Sequence, residues 1–211
     1  MAESVIFDCD GVLVDTEPAA NAVLSELITE LGVATTPEQA LTEYMGRSWA
    51  SCVEIVERKL GHPPPDDFGE RYRAGVIAAW KRKLRPVPGV VEALDAIDLP
   101  SCVASSGEHE RMRLTLGLTG LLPRFDGRLF SATEVEHGKP APDLFLHAAE
   151  RMGFEPSTTA VVEDTIPGVQ AGRAAGMRVL AFARLVSADD LAAAGGDVFD
   201  DMRALPGLLA V

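Results

Sequence analysis

Cysteine is scarce and scattered. The 211-residue chain has three, Cys9, Cys52 and Cys102. They are odd in number, far apart and form no C-x-x-C pair, which argues against a disulfide framework or a zinc site and for a reducing cytoplasm. Basic residues are few beside acidic ones: 19 Lys and Arg against 32 Asp and Glu leave a formal net charge of −13. A body this acidic repels phosphodiester backbones and anionic lipid. Neither nucleic acid nor membrane is expected as a partner, although one local basic pocket for a small anion is compatible with that charge. Long apolar runs are missing too. Met1-Ala2-Glu3-Ser4 leads into a short apolar stretch with no basic leader, so neither a signal peptide nor a membrane span is expected. Repeats and low-complexity tracts are absent. Hydrophobic residues make up 47% and charged residues 24%, which excludes a disordered chain, a collagen-like chain and a coiled coil.

What is present is an alternation. Val5-Ile6-Phe7 reads as a buried strand ending at Asp8. Apolar side chains at Ala20, Val23, Leu24, Leu27, Ile28 and Leu31 then follow helical spacing. Further helical patterns near 38–45, 48–60 and 67–84 are separated by Gly46 and by Pro63-Pro64-Pro65. After Pro86, Pro88 and Gly89 the chain alternates. Helices are expected near 89–97, 108–117, 142–152 and 167–175, and at the C-terminus; strands are expected near 101–105, 127–131, 159–162, 178–182 and 197–199. Strands alternating with helices imply an α/β fold with a parallel sheet covered on both faces. The helical block at 16–84 reads as an insertion, which leaves 1–15 and 85–211 for the sheet domain.

Ligands of an open parallel sheet bind beyond the carboxyl ends of its strands. Three expected strands end in polar residues: Asp8-Cys9-Asp10-Gly11, Ser105-Ser106-Gly107 and Glu163-Asp164, while Lys139 precedes Pro140 in a loop. Residues two apart in an extended chain face one way, so Asp8 and Asp10 can share a site while Cys9 turns from it. Four acids around one cleft call for a hard divalent cation, and an all-oxygen shell suits Mg2+. Each residue also has an ordinary reading: a turn or cap for Asp8 and Ser105, a solvated surface for Lys139, a helix cap for Glu163-Asp164.

Taken together, Asp8-x-Asp10-Gly11, Ser105, Lys139 and Glu163-Asp164 resemble the four motifs of the haloacid dehalogenase superfamily, in its branch of cap-bearing phosphatases and beta-phosphoglucomutase-like enzymes. The resemblance covers essentially the whole chain. It implies a Rossmann-like parallel-sheet core with an inserted helical cap domain, and a phosphatase acting on a small phosphorylated metabolite such as a sugar or sugar-acid phosphate. Asp8 would take the phosphoryl group as an aspartyl phosphate. Asp10 would act as general acid and then as base. Asp8, the main-chain carbonyl of Asp10, and Asp164 would hold Mg2+, with Glu163 assisting directly or through water. Ser105 and Ser106 would contact the phosphoryl oxygens, and Lys139 would be the fixed cation opposite them. Thr16, closing the first motif, and Arg47, in the Gly46-Arg47-Ser48-Trp49 stretch of the insertion, are the substrate-binding candidates. The resemblance further implies a cytoplasmic enzyme, monomeric or weakly dimeric.

A sugar phosphomutase is the alternative within the family, but the related mutases carry a histidine near the place of Ala19 and Ala20 and an arginine where this chain has Trp49, and both departures argue against it. Asp10 argues against a dehalogenase. A phospho-accepting signalling domain shares the acceptor aspartate, acidic pair, lysine and Mg2+. It lacks a helical insertion, however, and its acidic pair follows the first strand, the reverse of the order seen here.

Overall fold

The computed structural model describes residues 1–45 and 49–211. Two compact units emerge: Met1–Asp15 together with Pro86–Val211, and Thr16–Arg85.

The smaller unit is helical, with α1 (Glu17–Glu30), α2 (Pro37–Tyr44), α3 (Trp49–Leu60) and α4 (Phe68–Lys83). Buried Ala20, Val23, Leu24, Leu27 and Ile28 form the inner stripe of α1, against which α2 and α4 pack. A capping box between Thr36 and Gln39 starts α2. The Trp80 indole of α4 donates to the Thr16 carbonyl at 3.4 Å. Trp49 stacks on Tyr72 and Phe68, with ring centroids 4.7 and 5.7 Å apart, and so joins α3 to α4.

The larger unit is a six-stranded sheet: β1 (Ser4–Phe7), β2 (Ser101–Ser105), β3 (Leu129–Ser131), β4 (Thr159–Glu163), β5 (Arg178–Phe182) and β6 (Asp197–Phe199). Every pairing is parallel, and the order is β3-β2-β1-β4-β5-β6. Between the strands run α5 (Val90–Ala96), α6 (His109–Leu118), α7 (Asp143–Met152), α8 (Ile166–Ala174) and α9 (Ala188–Ala193), and α10 (Leu205–Leu209) closes the chain.

Both faces of the sheet are covered. Val5, Phe7, Val103, Val162 and Leu180 point to one core with Met112 and Leu116 of α6. Ile6, Cys102, Ala104, Val161 and Val179 point to the other with Leu144 and Phe145 of α7. This two-residue alternation between two apolar layers is why the strands read as continuous hydrophobic runs. Helix α9 is not among the expected elements. It spans six residues behind a Ser187 cap and buries one side chain, Leu191, so it carries too few apolar positions to show a period.

Chain order runs outward from β1 through β2 to β3, then resumes at β4 on the other side of β1. The topological switch point therefore lies between β1 and β4, where an open α/β sheet leaves a crevice at its carboxyl edge. Among the described residues no helix is long and apolar enough to cross a membrane.

Candidate active site

The site is assembled on the ends of three adjacent strands. The Asp8 amide donates to the Val162 carbonyl at 2.9 Å, which extends the β1–β4 ladder one residue past β1 and sets Asp8 beside the end of β4. Asp8 is 6% exposed, Glu163 1% and Asp164 6%. Carboxylates this buried need partners. Lys139 provides one from the turn ahead of α7: Nζ donates to Asp8 Oδ1 at 2.5 Å, to Glu163 Oε1 at 2.6 Å and to the Ala104 carbonyl of β2 at 3.3 Å. An ammonium has three donors, and all three are used. The Phe145 ring lies beneath, its centroid 4.8 Å from Nζ.

Two buried carboxylates thus share one ammonium. Burial pushes the Asp8 carboxyl up to about 7; Lys139 opposes the rise and Glu163 adds to it. Burial alone would lower the Lys139 ammonium, but Asp8 and Glu163 outweigh it and hold the lysine charged.

Both Glu163 oxygens are engaged. Its Oε2 accepts from the Asp164 amide at 2.8 Å, the Thr165 amide at 2.7 Å and the Thr165 hydroxyl at 2.9 Å. Glu163 thereby ties Lys139 to the turn that opens α8. The first turn of α8 leaves it room, because a Cβ at Gly168 would overlap the Glu163 carboxylate. Gly11, at φ +87°, turns the first-motif loop with its bare Cα against the Asp164 carboxylate.

Cys9 faces away as expected, fully buried with Sγ 4.0 Å from the Thr115 hydroxyl. Asp10 Oδ2 lies 3.0 Å from Arg111 Nη2. Its Oδ1 is buried and, among the described residues, has no hydrogen-bond partner. Ser105, 2% exposed at the end of β2, accepts the Gly107 amide on Oγ at 3.1 Å, while Ser106 is exposed. Asp15 is gripped by Arg184 through two bonds of 2.8 and 2.7 Å.

Lys139 thus joins Asp8 and Glu163; Asp164 and Asp10 flank Gly11, and Ser105 lies by Asp10 across Gly107. Thr16 is not among these groups. It belongs to the helical unit and is fully buried. Arg47 lies outside the described residues. Arg111 was not singled out in the sequence. The signal for it is a cation in the first turn of a helix, where the macrodipole disfavours it.

Among the described residues no three His, Cys, Asp or Glu side chains are set to hold a metal by themselves. The fit to Mg2+ rests on charge and donor type. Asp8, Asp10, Glu163 and Asp164 are four carboxylates gathered with two cations, Lys139 and Arg111, so one divalent ion balances the set. Mg2+ uses one or two carboxylates and keeps several waters, so Asp8 and Asp164 would be enough as side-chain ligands were it bound.

Residues 3–176 match the family model of the haloacid dehalogenase-like hydrolases. The chain belongs to that family. It is an enzyme of the phosphatase branch: it is 33% identical over 181 residues to the 6-phosphogluconate phosphatase of Escherichia coli K12, covering 85% of this chain and 82% of that one. It is 30% identical over 175 residues to the fructose-1-phosphate phosphatase YqaB of the same organism, covering 82% and 92%. Among solved structures, a haloacid dehalogenase-like protein of Agrobacterium tumefaciens C58 superimposes with a TM-score of 0.90 at 34% identity, over 100% of this chain and 98% of that one. A family hydrolase of Deinococcus radiodurans R1 with bound phosphate and sodium superimposes at 0.87 with 27% identity, over 99% and 95%.

Proposed function

We propose that this family member is a Mg2+-dependent phosphatase of a small sugar or sugar-acid phosphate that works through an aspartyl phosphate on Asp8. The observation that carries the reading is Lys139, buried at the switch point between β1 and β4 with its ammonium on both Asp8 and Glu163. A carboxylate backed by a fixed cation is a nucleophile that can approach an anionic phosphate.

In the first step an Asp8 oxygen attacks phosphorus, the bond to the ester oxygen breaks, and Asp10 gives that oxygen its proton. In the second, water attacks phosphorus, Asp10 takes a water proton, and the electron pair of the Asp8–phosphorus bond returns to the carboxylate as phosphate leaves. Lys139 offsets charge on the transferring group, and Ser105 at the end of β2 donates to one of its oxygens. Asp8, Asp164 and the main-chain oxygen of Asp10 would hold Mg2+, which would supply positive charge to offset the negative charge on the phosphoryl oxygens. The helical unit is assigned the choice of leaving group. The sugar class is supported by the relatives that hydrolyse 6-phosphogluconate and fructose 1-phosphate.

The test is turnover of the purified chain with Mg2+ on phosphorylated sugars, sugar acids and nucleotides. Sugar or sugar-acid phosphates should lead, chelation should stop the reaction, and Asp8→Asn should cost about 10⁴-fold or more. Near-normal turnover by Asp8→Asn would refute the nucleophile.

A further inference from the structure

Three side chains meet over Gly107. A Cβ built there would lie 3.5 Å from Ser105 Oγ, 3.5 Å from Arg111 Cδ and 3.7 Å from Asp10 Oδ2. Arg111, third residue of α6, reaches across this bare glycine to Asp10, with Nη2 3.0 Å from Oδ2. Its platform is rigid. The Ser131 hydroxyl of β3 donates to the Gly107 carbonyl at 2.9 Å, and Glu134 Oε1 accepts the Ser131 amide at 2.6 Å and lies 2.8 Å from His109 Nε2, at the first residue of α6. Stability does not explain the pair. The Arg111 side chain is 44% exposed and that of Asp10 20%, and exposed ion pairs contribute little; a cation in the first turn also opposes the helix dipole.

We infer that Arg111 is a positioning residue for the proton-transfer group of the reaction, an inference that rests on the phosphatase reading above. Anchoring Oδ2 fixes the Asp10 carboxylate in one rotamer and leaves Oδ1, the oxygen without a partner among the described residues, to meet the ester oxygen and then the water. Arg111 exchanges no proton. In the hydrolytic step water oxygen bonds to phosphorus, the phosphorus–Asp8 bond breaks with its electron pair returning to Asp8, and the water proton passes to Asp10 Oδ1. Without Arg111 the carboxylate swings, and a displacement of about 1 Å in a reacting group costs on the order of 100-fold.

The test uses p-nitrophenyl phosphate, whose leaving group departs without a proton, so that Asp10 is needed only for hydrolysis of the phosphoenzyme. Arg111→Met should lower kcat by roughly 10- to 100-fold without raising KM. It should also give a burst of p-nitrophenolate of about one equivalent per chain as the phosphoenzyme accumulates. Arg111→Lys should recover most of the rate. In an Asp10→Asn background, Arg111→Met should change kcat by no more than about twofold, because the two residues act as a unit. A raised KM with kcat retained, or equal losses in both backgrounds, overturns the inference while a phosphoenzyme in the unaltered chain keeps the phosphatase reading. Turnover by Asp8→Asn with no phosphoenzyme in any variant overturns both.

Discussion

Lys139 illustrates how much a single side chain depends on its neighbours. In the sequence it is one lysine before a proline; in the fold it is the ammonium that makes two buried carboxylates, Asp8 and Glu163, tolerable. One positive charge for two acids leaves Asp8 reluctant to ionise, and its carboxyl rises from 3.8 to about 7. The consequence for stability has a definite sign. In the metal-free protein the folded chain keeps a proton on Asp8 that the unfolded chain has already released. The stability this contributes is complete below pH 3.8 and lost as pH rises through about 7. Urea titrations without metal should therefore show the stability of the unaltered chain falling, relative to Asp8→Asn, across that window. Parallel curves would mean that Asp8 titrates alike in both states. At this scale Asp8, its companion Asp10 and the pair Glu163-Asp164 were legible as a set, because strand ends expose alternate residues to one crevice. The division of labour was not. Glu163 serves Lys139 and the turn into α8, and Arg111 reaches Asp10, through contacts between residues 24 and 101 positions apart in the chain.

Elements with strong periodicity were readable, and short ones were not. The stripe of α1 and the apolar runs of β1, β4 and β5 each bury enough side chains to impose a period of 3.6 or 2. Helix α9 escapes because its stability comes from the Ser187 cap and one buried leucine. Close approach of elements is another feature that letters alone do not show, and Gly168 makes it testable. Alanine ordinarily stabilises a helix interior by up to about 1 kcal/mol over glycine. In α6, where the nearest atom to a Cβ at Gly117 is Leu122 Cδ2 at 4.0 Å, Gly117→Ala should behave in that way. In α8 a Cβ at Gly168 would overlap the Glu163 carboxylate, so Gly168→Ala should destabilise by about 2 kcal/mol or more. Thermal denaturation of the two variants side by side checks this; equal signs would contradict the packing drawn around Glu163.

For the whole molecule, the order of the sheet explains why residues as far apart in the chain as Asp8 and Asp164 serve one site: β1 and β4 are neighbours at the point where the strand order turns. The acidic surface and the site at the sheet edge divide the charge differently. The chain carries a net −13, yet around Asp8 the excess amounts to the four carboxylates set against Lys139 and Arg111. Mg2+ should accordingly raise the melting temperature of the folded chain. The rise should be larger at about pH 8 than at about pH 5, because proton and metal compete for Asp8. A shift of equal size at both values would place the ion elsewhere.

All of this converges on a phosphoryl group carried by one side chain. The most direct measurement is to quench the enzyme during turnover of a phosphorylated sugar, reduce it with borohydride, and map the peptides by mass spectrometry. An aspartyl phosphate at position 8 is reduced to homoserine, so the peptide containing Asp8 should carry that change only when substrate and Mg2+ are both present. An unmodified Asp8 under full turnover, or a phosphoryl group on any other residue, would contradict the reading.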